Sequence, residues 1–355
     1  MKLILTGGFL GSGKTTAIQQ ACNVLTSQHK KVAVITNDQG EDLVDSKFIK
    51  GFSIPVKEVT KSCFCCNYNA LIENLYAFKN EINPEIIFAE SVGSCADLVA
   101  TIANPLNEMQ PELTVNISVF VDASLLHSII TGASFFIDES VRYIFKKQME
   151  EADILILNKI DLLNDKQLAT IKKIIQQEYS GKKILMQNSL NKTDVNEWMN
   201  CFEEIPASKR TSLDIDYKIY GEGEAKLAWL DAIVNIKSQK IPAAKIAVLL
   251  AENVYQKINE RRLTTGHLKF LINDGEQQHK ISYTTTMHYG NAIIFSASTK
   301  AAVLINARVQ TTPEILEEII RISIKEIALQ TNGNIKIESL SAFKPGFPKP
   351  TYRMA

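Results

Sequence analysis

Residues 2–16 read KLILTGGFLGSGKTT. The apolar run KLILT (2–6) is long enough for one buried strand, and a helical period starts at Lys14. Between them, Gly8 to Thr15 spells G-x-x-x-x-G-K-T. Glycines in such a loop let successive backbone N–H groups turn inward around phosphate oxygens, and the helix that follows adds its positive end. Lys14 is expected to reach the β- and γ-phosphates, with the Thr15 hydroxyl on Mg²⁺; Gly8, Gly11, Ser12, Gly13 and Thr16 complete the cradle. A strand, a phosphate loop and a helix in immediate succession predict an α/β domain with a doubly wound, mostly parallel sheet.

The flanking sequence continues that plan. KVAVIT (31–36), EIIFAE (85–90), NISVFVD (116–122), DILILN (153–158) and KILMQN (183–188) are short apolar runs. They alternate with helical periods around 14–28, 67–79, 95–104, 138–151, 165–179 and 193–203. Uninterrupted apolar strands between helices describe a sheet covered on both faces, whose ligands sit at the carboxyl ends of the strands. After about Pro206 the pattern changes. Strand-like stretches at 225–236, 267–272, 280–286, 291–298, 302–310 and 334–340 flank helices at 243–260 and 312–330. That order predicts a smaller α+β domain, ferredoxin-like with an added hairpin. The expected domains are 1–205, 206–342 and an extended Pro/Lys-rich tail, 343–355. The tail is read either as a flexible end or as a strip that docks a partner.

Composition narrows the function. The 355 residues are 45% apolar and carry 39 basic against 39 acidic side chains. Phosphate backbones demand a basic surplus, so no nucleic-acid partner is expected. The balance hides a split: 19 basic and 25 acidic residues lie in 1–205, leaving a compensating surplus of bases beyond. Asp122 and Lys245 interrupt the best apolar stretches, well short of the ~20 residues a spanning helix needs, so no membrane partner is expected. Six cysteines are too few for a disulfide scaffold of this size; a cytoplasmic, reducing setting fits them better.

Three further clusters carry chemistry. Asn158-Lys159-Ile160-Asp161 follows a late strand, where Asp161 can accept hydrogen bonds from guanine N1–H and the N2 amino group. Adenine offers neither donor there, so such a site should reject it by roughly 10⁴. Lys159 would lie along the base and Asn158 would brace the loop; Asn188 and Ser189 are weaker candidates for base contacts. Cys63-Phe64-Cys65-Cys66 places three sulfurs within four positions, so they can converge on one Zn²⁺ at ~2.3 Å and leave one coordination position open. A redox pair and plain packing remain as alternatives. Asp38, after the second strand, and Glu90, in a Walker-B-like place, are candidate Mg²⁺ ligands or water-positioning carboxylates. Gly93 would let its backbone approach the γ-phosphate. With Lys14 these two form the expected catalytic set. No arginine finger is evident within 1–205, so intrinsic hydrolysis should be slow.

Taken together, GGFLGSGKTT, the Asn37-Asp38 loop, CFCC, ESVGSCAD, VDAS (121–124), QMEEAD (148–153) and NKID resemble the cobalamin-synthesis-protein W (CobW) family of P-loop GTPases, relatives of the urease and hydrogenase nickel-loading GTPases. The resemblance covers about residues 1–205. It implies a metallochaperone that binds GTP-Mg²⁺, holds a transition metal (Zn²⁺ first; Co, Ni or Fe as other choices) at Cys63, Cys65 and Cys66, and couples hydrolysis to delivery into a client metalloprotein. Other readings are a GTP-dependent loader of a cofactor enzyme, such as a corrinoid protein, and a non-catalytic metal- or thiol-sensing module. A homodimer is a candidate assembly. The five histidines are scattered, unlike the histidine-rich stretches of many members, so storage of many ions is not expected.

Overall fold

The computed structural model describes residues 1–40, 44–133, 138–203, 210–286, 288–290 and 295–354. The chain divides into two compact units. One comprises Met1–Gln39, Phe52–Gly223 and Phe347–Ala355; the other comprises Gly40–Gly51 and Glu224–Gly346. The sequence reading draws its line near 205 and assigns the tail to itself. In the structure the tail belongs with the first unit, and a short stretch after the second strand belongs with the second.

In the first unit seven strands are described: β1 (Lys2–Gly7), β2 (Val32–Asn37), β3 (Val56–Val59), β4 (Ile86–Glu90), β5 (Thr114–Asp122), β6 (Ile154–Asn158) and β7 (Lys183–Gln187). Their order is β3-β2-β4-β1-β5-β6-β7, and every neighbouring pair is parallel. Central strands such as β2 and β6 are buried at every residue, as their unbroken apolar runs require. The edge strand β3, VKEV, is half-exposed and carries two charges, which disguises it in the sequence and blunts the sheet edge. The 95–104 stretch is not a plain helix: a π-helical turn over Val99–Ala103 leads into an α-helix, Asn104–Met109. Helices Ala123–Ile130 and Tyr217–Ala225 are additions to the sequence reading. Among the described residues, no helix is long and apolar enough to cross a membrane.

The second unit holds β8 (Leu227–Lys237), β9 (Thr264–Asn273), β10 (Gln278–Thr284), β11 (His288–Gly290), β12 (Lys300–Gln310) and β13 (Asn334–Phe343). Their order is β11-β10-β9-β12-β8-β13, antiparallel throughout. The four strands β13-β8-β12-β9, with helices Ala243–Glu260 and Pro313–Thr331, give the ferredoxin-like order, and β10 and β11 are the added hairpin. The strand expected over 291–298 is not found there: 291–294 lie outside the described residues, and 295–298 are not in a strand.

Alternation sets the two faces of this sheet. Val234, Phe270, Ile272, Val303 and Ile305 turn toward the two helices and form the main core. Ile233, Leu271 and Leu304 turn to the other face, where Val44 and Phe48 of the helix Val44–Lys50 cover them. The Val44 N–H donates to Asn306 Oδ1 at 2.8 Å. Asp45 pairs with Lys269 and, at 2.9 Å, with Lys280. Burial opposes the charge on Asp45, but the two ammonium groups outweigh it and hold the carboxyl well below its ordinary range.

Arg308 is fully buried at the centre of this sheet. Its Nη1 donates to Asp231 Oδ1 at 3.0 Å and to the Ala307 carbonyl at 2.9 Å, and its guanidinium lies 4.0 Å from the Trp229 ring centroid. Removing one partner of a buried pair strands the other charge, at a cost of about 3–5 kcal/mol. Arg308→Ala is therefore expected to lose about that much in urea unfolding followed by far-UV circular dichroism. A loss below about 1 kcal/mol would show that Asp231 needs no cation.

Candidate functional site

A parallel sheet sends every outgoing loop to one edge, and the first unit gathers the chemistry of the chain there. The loop after β1 is shaped by its glycines. Gly8, Gly11 and Gly13 have φ of +125°, +76° and +95°. A Cβ at Gly8 would stand 2.1 Å from the Phe120 carbonyl oxygen, and one at Gly13 would stand 2.3 Å from Asn158 Nδ2. Both positions are closed to a side chain. Lys14 Nζ folds back onto the Gly8 carbonyl at 2.5 Å and the Phe9 carbonyl at 3.3 Å. The Ser12 hydroxyl is buried with no hydrogen-bond partner among the described residues. Thr15 Oγ1 donates to Glu90 Oε1 at 2.8 Å, and both side chains are buried. A hydroxyl and a carboxylate converging beside this loop are the oxygen donors a hard cation takes. Thr16 is half-buried in the helix Lys14–Ser27.

Asn158 ends β6 and ties three segments together. Its amide donates to the Ser12 carbonyl at 2.7 Å, and its Oδ1 accepts from the Ser189 N–H at 3.0 Å and hydroxyl at 2.8 Å. Ser189 thus supports Asn158, a contact the sequence reading did not assign. Lys159, at φ +63°, places Nζ 2.8 Å from Asp122 Oδ2. Asp161 is exposed on the turn Ile160–Leu162, open to a ligand. Gly93 is required by proximity: a Cβ there would meet Leu10 Cδ2 at 2.6 Å, so the loop after β4 lies against the phosphate loop. Gln148 fixes that loop by donating to the Gly93 and Cys95 carbonyls at 3.1 and 2.7 Å.

The cysteines occupy a tight turn ahead of the helix Tyr68–Glu81. The N–H groups of Cys66 and Asn67 both donate to the Cys63 carbonyl, at 3.1 and 3.0 Å. The sulfurs of Cys63, Cys65 and Cys66 stand 2.9, 3.1 and 3.8 Å apart. Among the described residues they are the one group of three or more His, Cys, Asp or Glu side chains placed to share an ion, and no histidine joins them. Hydrogen bonds from the neighbouring thiols, Cys65 first, hold Cys63 well below the ordinary thiol range. Bonding to Cys63 pushes Cys65 up and Cys66 up to about 11.

Asn37 and the tail position this turn, and the sequence reading missed both roles. Asn37 Oδ1 accepts from the Phe64 N–H at 2.7 Å, while its Nδ2 donates to the Val59 and Ser62 carbonyls at 2.9 and 2.7 Å. Asp38 follows directly, half-buried, with its N–H on the Val59 carbonyl at 3.2 Å. The tail lies along the cysteines. The Thr351 N–H donates to the Cys65 carbonyl at 2.7 Å and the Lys349 N–H to Cys66 Sγ at 3.2 Å. Tyr352 meets Tyr68 edge-to-face at 5.1 Å, and Arg353 Nε donates to the buried Asp97 at 2.8 Å. Burial pushes the Asp97 carboxyl up, and Tyr217 and Arg353 oppose that.

The chain matches the nucleotide-binding domain of the CobW/HypB/UreG family over residues 2–186. It belongs to that family. The zinc chaperone CobW of a Sinorhizobium species is 24% identical over 206 residues, which are 51% of this chain and 56% of that protein. The zinc chaperone YjiA of Escherichia coli K12 is 39% identical over 71 residues, 20% of this chain and 21% of that protein. The chain thus spans about half, or less, of the length of these curated relatives. The crystal structure of HypB from Helicobacter pylori in complex with nickel shares 14% identity, covering 59% of this chain and 90% of that one at a TM-score of 0.43. In CobW/HypB/UreG terms, the matched residues contain the phosphate loop, the cysteine turn and the NKID turn.

The tail contacts make a direct expectation for this member of the family. Arg353→Ala removes the ion pair that anchors residues 349–354, and thiol reactivity follows access. Modification of Cys66 by a thiol reagent in reduced, metal-free protein should become several-fold faster in stopped flow. An unchanged rate would mean that the tail does not shield that sulfur.

Proposed function

We propose that this protein is a cytoplasmic, GTP-hydrolysing metallochaperone that carries a transition metal, Zn²⁺ first, on Cys63, Cys65 and Cys66 and delivers it to a client metalloprotein. The observation that carries this reading is the convergence of three thiols in a chain whose phosphate loop and family membership mark it as nucleotide-binding. Thiolates are soft donors suited to Zn²⁺. The zinc chaperones among its relatives favour the same cargo.

In this reading the backbone from Gly8 to Thr16 cradles the triphosphate and Lys14 swings from the loop carbonyls to the β- and γ-phosphates. Thr15, with Glu90 and Asp38, would hold Mg²⁺, which supplies charge neutralisation at the phosphates. Asp161 reads guanine, Lys159 lies along the base, and Asn158 braces the phosphate loop. Asp38 and Glu90 head the two segments that respond to the γ-phosphate. Asn37 adjoins Asp38 and clamps the cysteine turn, and Gly93 follows Glu90 against Leu10. Triphosphate binding and hydrolysis therefore bear on the loops that shape the metal site. Hydrolysis in isolation is expected to be slow.

Metal content after anaerobic purification, measured with GTP, with GDP and without nucleotide, tests the coupling; equal retention in all three states, with and without a recipient, would overturn it. Cys65→Ser with Cys66→Ser should abolish stoichiometric Zn²⁺ binding, and unchanged stoichiometry would refute the ligand set. Asp161→Asn should weaken GTP by about 10²- to 10⁴-fold, since two charge-assisted hydrogen bonds at about 1.5–3 kcal/mol each are lost. Xanthosine triphosphate, which presents an acceptor in place of the N2 amino group, should bind that variant better than GTP does. Retained GTP affinity would remove Asp161 from the base site.

A further inference from the structure

Residues 347–354 form no helix or strand, yet the strip is fixed at both ends. At one end the Phe347 ring lies so close to Gly221 that a Cβ there would meet its Cε2 at 2.3 Å. At the other, Arg353 Nε donates to Asp97 Oδ2 at 2.8 Å and its Nη2 donates to the Leu213 carbonyl at 2.8 Å. Between these anchors the strip meets the cysteine turn through its backbone. The Lys349 N–H is on Cys66 Sγ, the Thr351 N–H is on the Cys65 carbonyl, and the Thr351 hydroxyl donates to the Cys66 carbonyl at 3.3 Å. Pro348 and Pro350 alternate with these two donors. Proline has no N–H, so this stretch offers donors at 349 and 351, and both are spent on the turn.

We propose that residues 347–354 are a strap that gates the cysteine turn, seated while the ion is held and lifted before the ion passes to or from a recipient. This rests on the reading of the cysteine turn as a metal site. Three protein ligands leave one position of a tetrahedral ion open, and an incoming ligand has to reach it. Cys63 and Cys65 are buried whereas Cys66 is only half-buried, so solvent approaches from the Cys66 side. The Lys349 N–H stands on that sulfur. Passage is then an exchange of ligands with no change of oxidation state. The recipient's donor bonds the ion, the bond to Cys66 breaks, and the freed thiolate takes a proton from water.

The strip is built to lift as a piece. Lys349, Thr351 and Arg353 are exposed, and a small set of bonds holds them, so the segment is of the kind that opens locally well before a protein unfolds. Asp97 is what seats it. That carboxyl is fully buried on a residue at φ +67°, and burial pushes its pKa up. Arg353 and the Tyr217 hydroxyl, at 2.7 Å, both bond its Oδ2. A buried carboxylate deprived of its cation is costly, so the seated position is the resting one. A gate and a prop differ in what their removal changes. Loss of a prop weakens the bound geometry and shows in affinity. Loss of a gate lowers one barrier that uptake and release both cross, so the two quicken together and affinity holds.

Stopped-flow uptake of Zn²⁺ by the reduced, metal-free full chain, and release from the loaded chain to excess chelating dye, read both directions. Arg353→Ala removes the anchor on Asp97, and Thr351→Pro removes the N–H on the Cys65 carbonyl. Loss of the charge-assisted bonds should speed uptake and release about tenfold each in Arg353→Ala, with the dissociation constant within about twofold and the stoichiometry unchanged. Thr351→Pro should quicken both rates by a smaller factor. Arg321→Ala, which removes an exposed ion pair with Glu317, should leave both rates as they are; an equal acceleration there overturns the gate as an effect of lost charge. Weaker affinity with unaltered uptake makes the strip a prop and overturns the gate, as do unchanged rates in both strap variants. No Zn²⁺ uptake by the unmodified chain overturns the metal reading itself. If Thr351→Pro does not fold, Arg353→Ala decides.

Discussion

Every strand of the first sheet runs the same way, so every loop that leaves a carboxyl end emerges on the same edge. That constraint brings Gly8, Asp38, Ser91, Lys159 and Ser189, distant in sequence, to one rim. What it does not provide is rigidity, because a loop leaving a strand has no ladder partner of its own. Three buried amides supply it. Asn158 holds the phosphate loop, Asn37 holds the cysteine turn, and Gln148 holds the loop after Glu90. A carboxamide suits the task because it carries two N–H donors as well as an acceptor, so one side chain can bridge two backbone groups. Each such bond contributes about 0.5–1.5 kcal/mol net, but a buried backbone group left without its partner costs about 1–3 kcal/mol. The loops are held by what it would cost to release them.

The electrostatics of the cysteine turn follow from crowding. Contact among the three thiols lowers Cys63 and raises Cys65 and Cys66. A divalent cation bound by thiols replaces their protons. In the proposed metal site affinity would then rise with pH, and anything that stabilises thiolate competes with protons on the same sulfurs. The N–H of Lys349 on Cys66 is such a contact, and it reaches the turn from 283 residues further along the chain.

Sequence legibility tracked the range of the interactions. The phosphate loop, NKID and the central strands are local patterns: glycines at fixed offsets and apolar runs of strand length. The ferredoxin-like order of the second unit was readable because each strand and helix has its own period. β3 was hidden because an edge strand is half-exposed, and Val-Lys-Glu-Val lacks the apolar run of its neighbours. The helix Val44–Lys50, seven residues long, has too little periodicity to stand out, and its partners Leu271 and Leu304 lie far along the chain. At the candidate site, Cys63, Cys65 and Cys66 announce themselves by spacing. Asn37 does not, since an isolated amide acquires meaning only from what folds against it. The tail shows the same limit. Proline and lysine suggest an extended strip, but no local pattern says that Thr351 will bond the Cys65 carbonyl.

The distribution of the chain between the two units bears on how the protein can be dissected. The stretch Gly40–Gly51 folds with the second unit, although it lies inside the first unit's sequence. Val44 and Ile49 are buried there and Asp45 carries two lysine partners, so a fragment ending near 205 would expose apolar side chains and strip a low-lying carboxyl of its cations. The same fragment would lose Lys349, Thr351 and Arg353 from the cysteine turn and from Asp97. In sequence the excursion begins two residues after Asp38, and Cys66 receives the tail. Behaviour of such a fragment, in metal affinity or hydrolysis, would therefore report on a turn with altered support as well as on a missing unit. The physically sound unit for measuring either property is the whole chain.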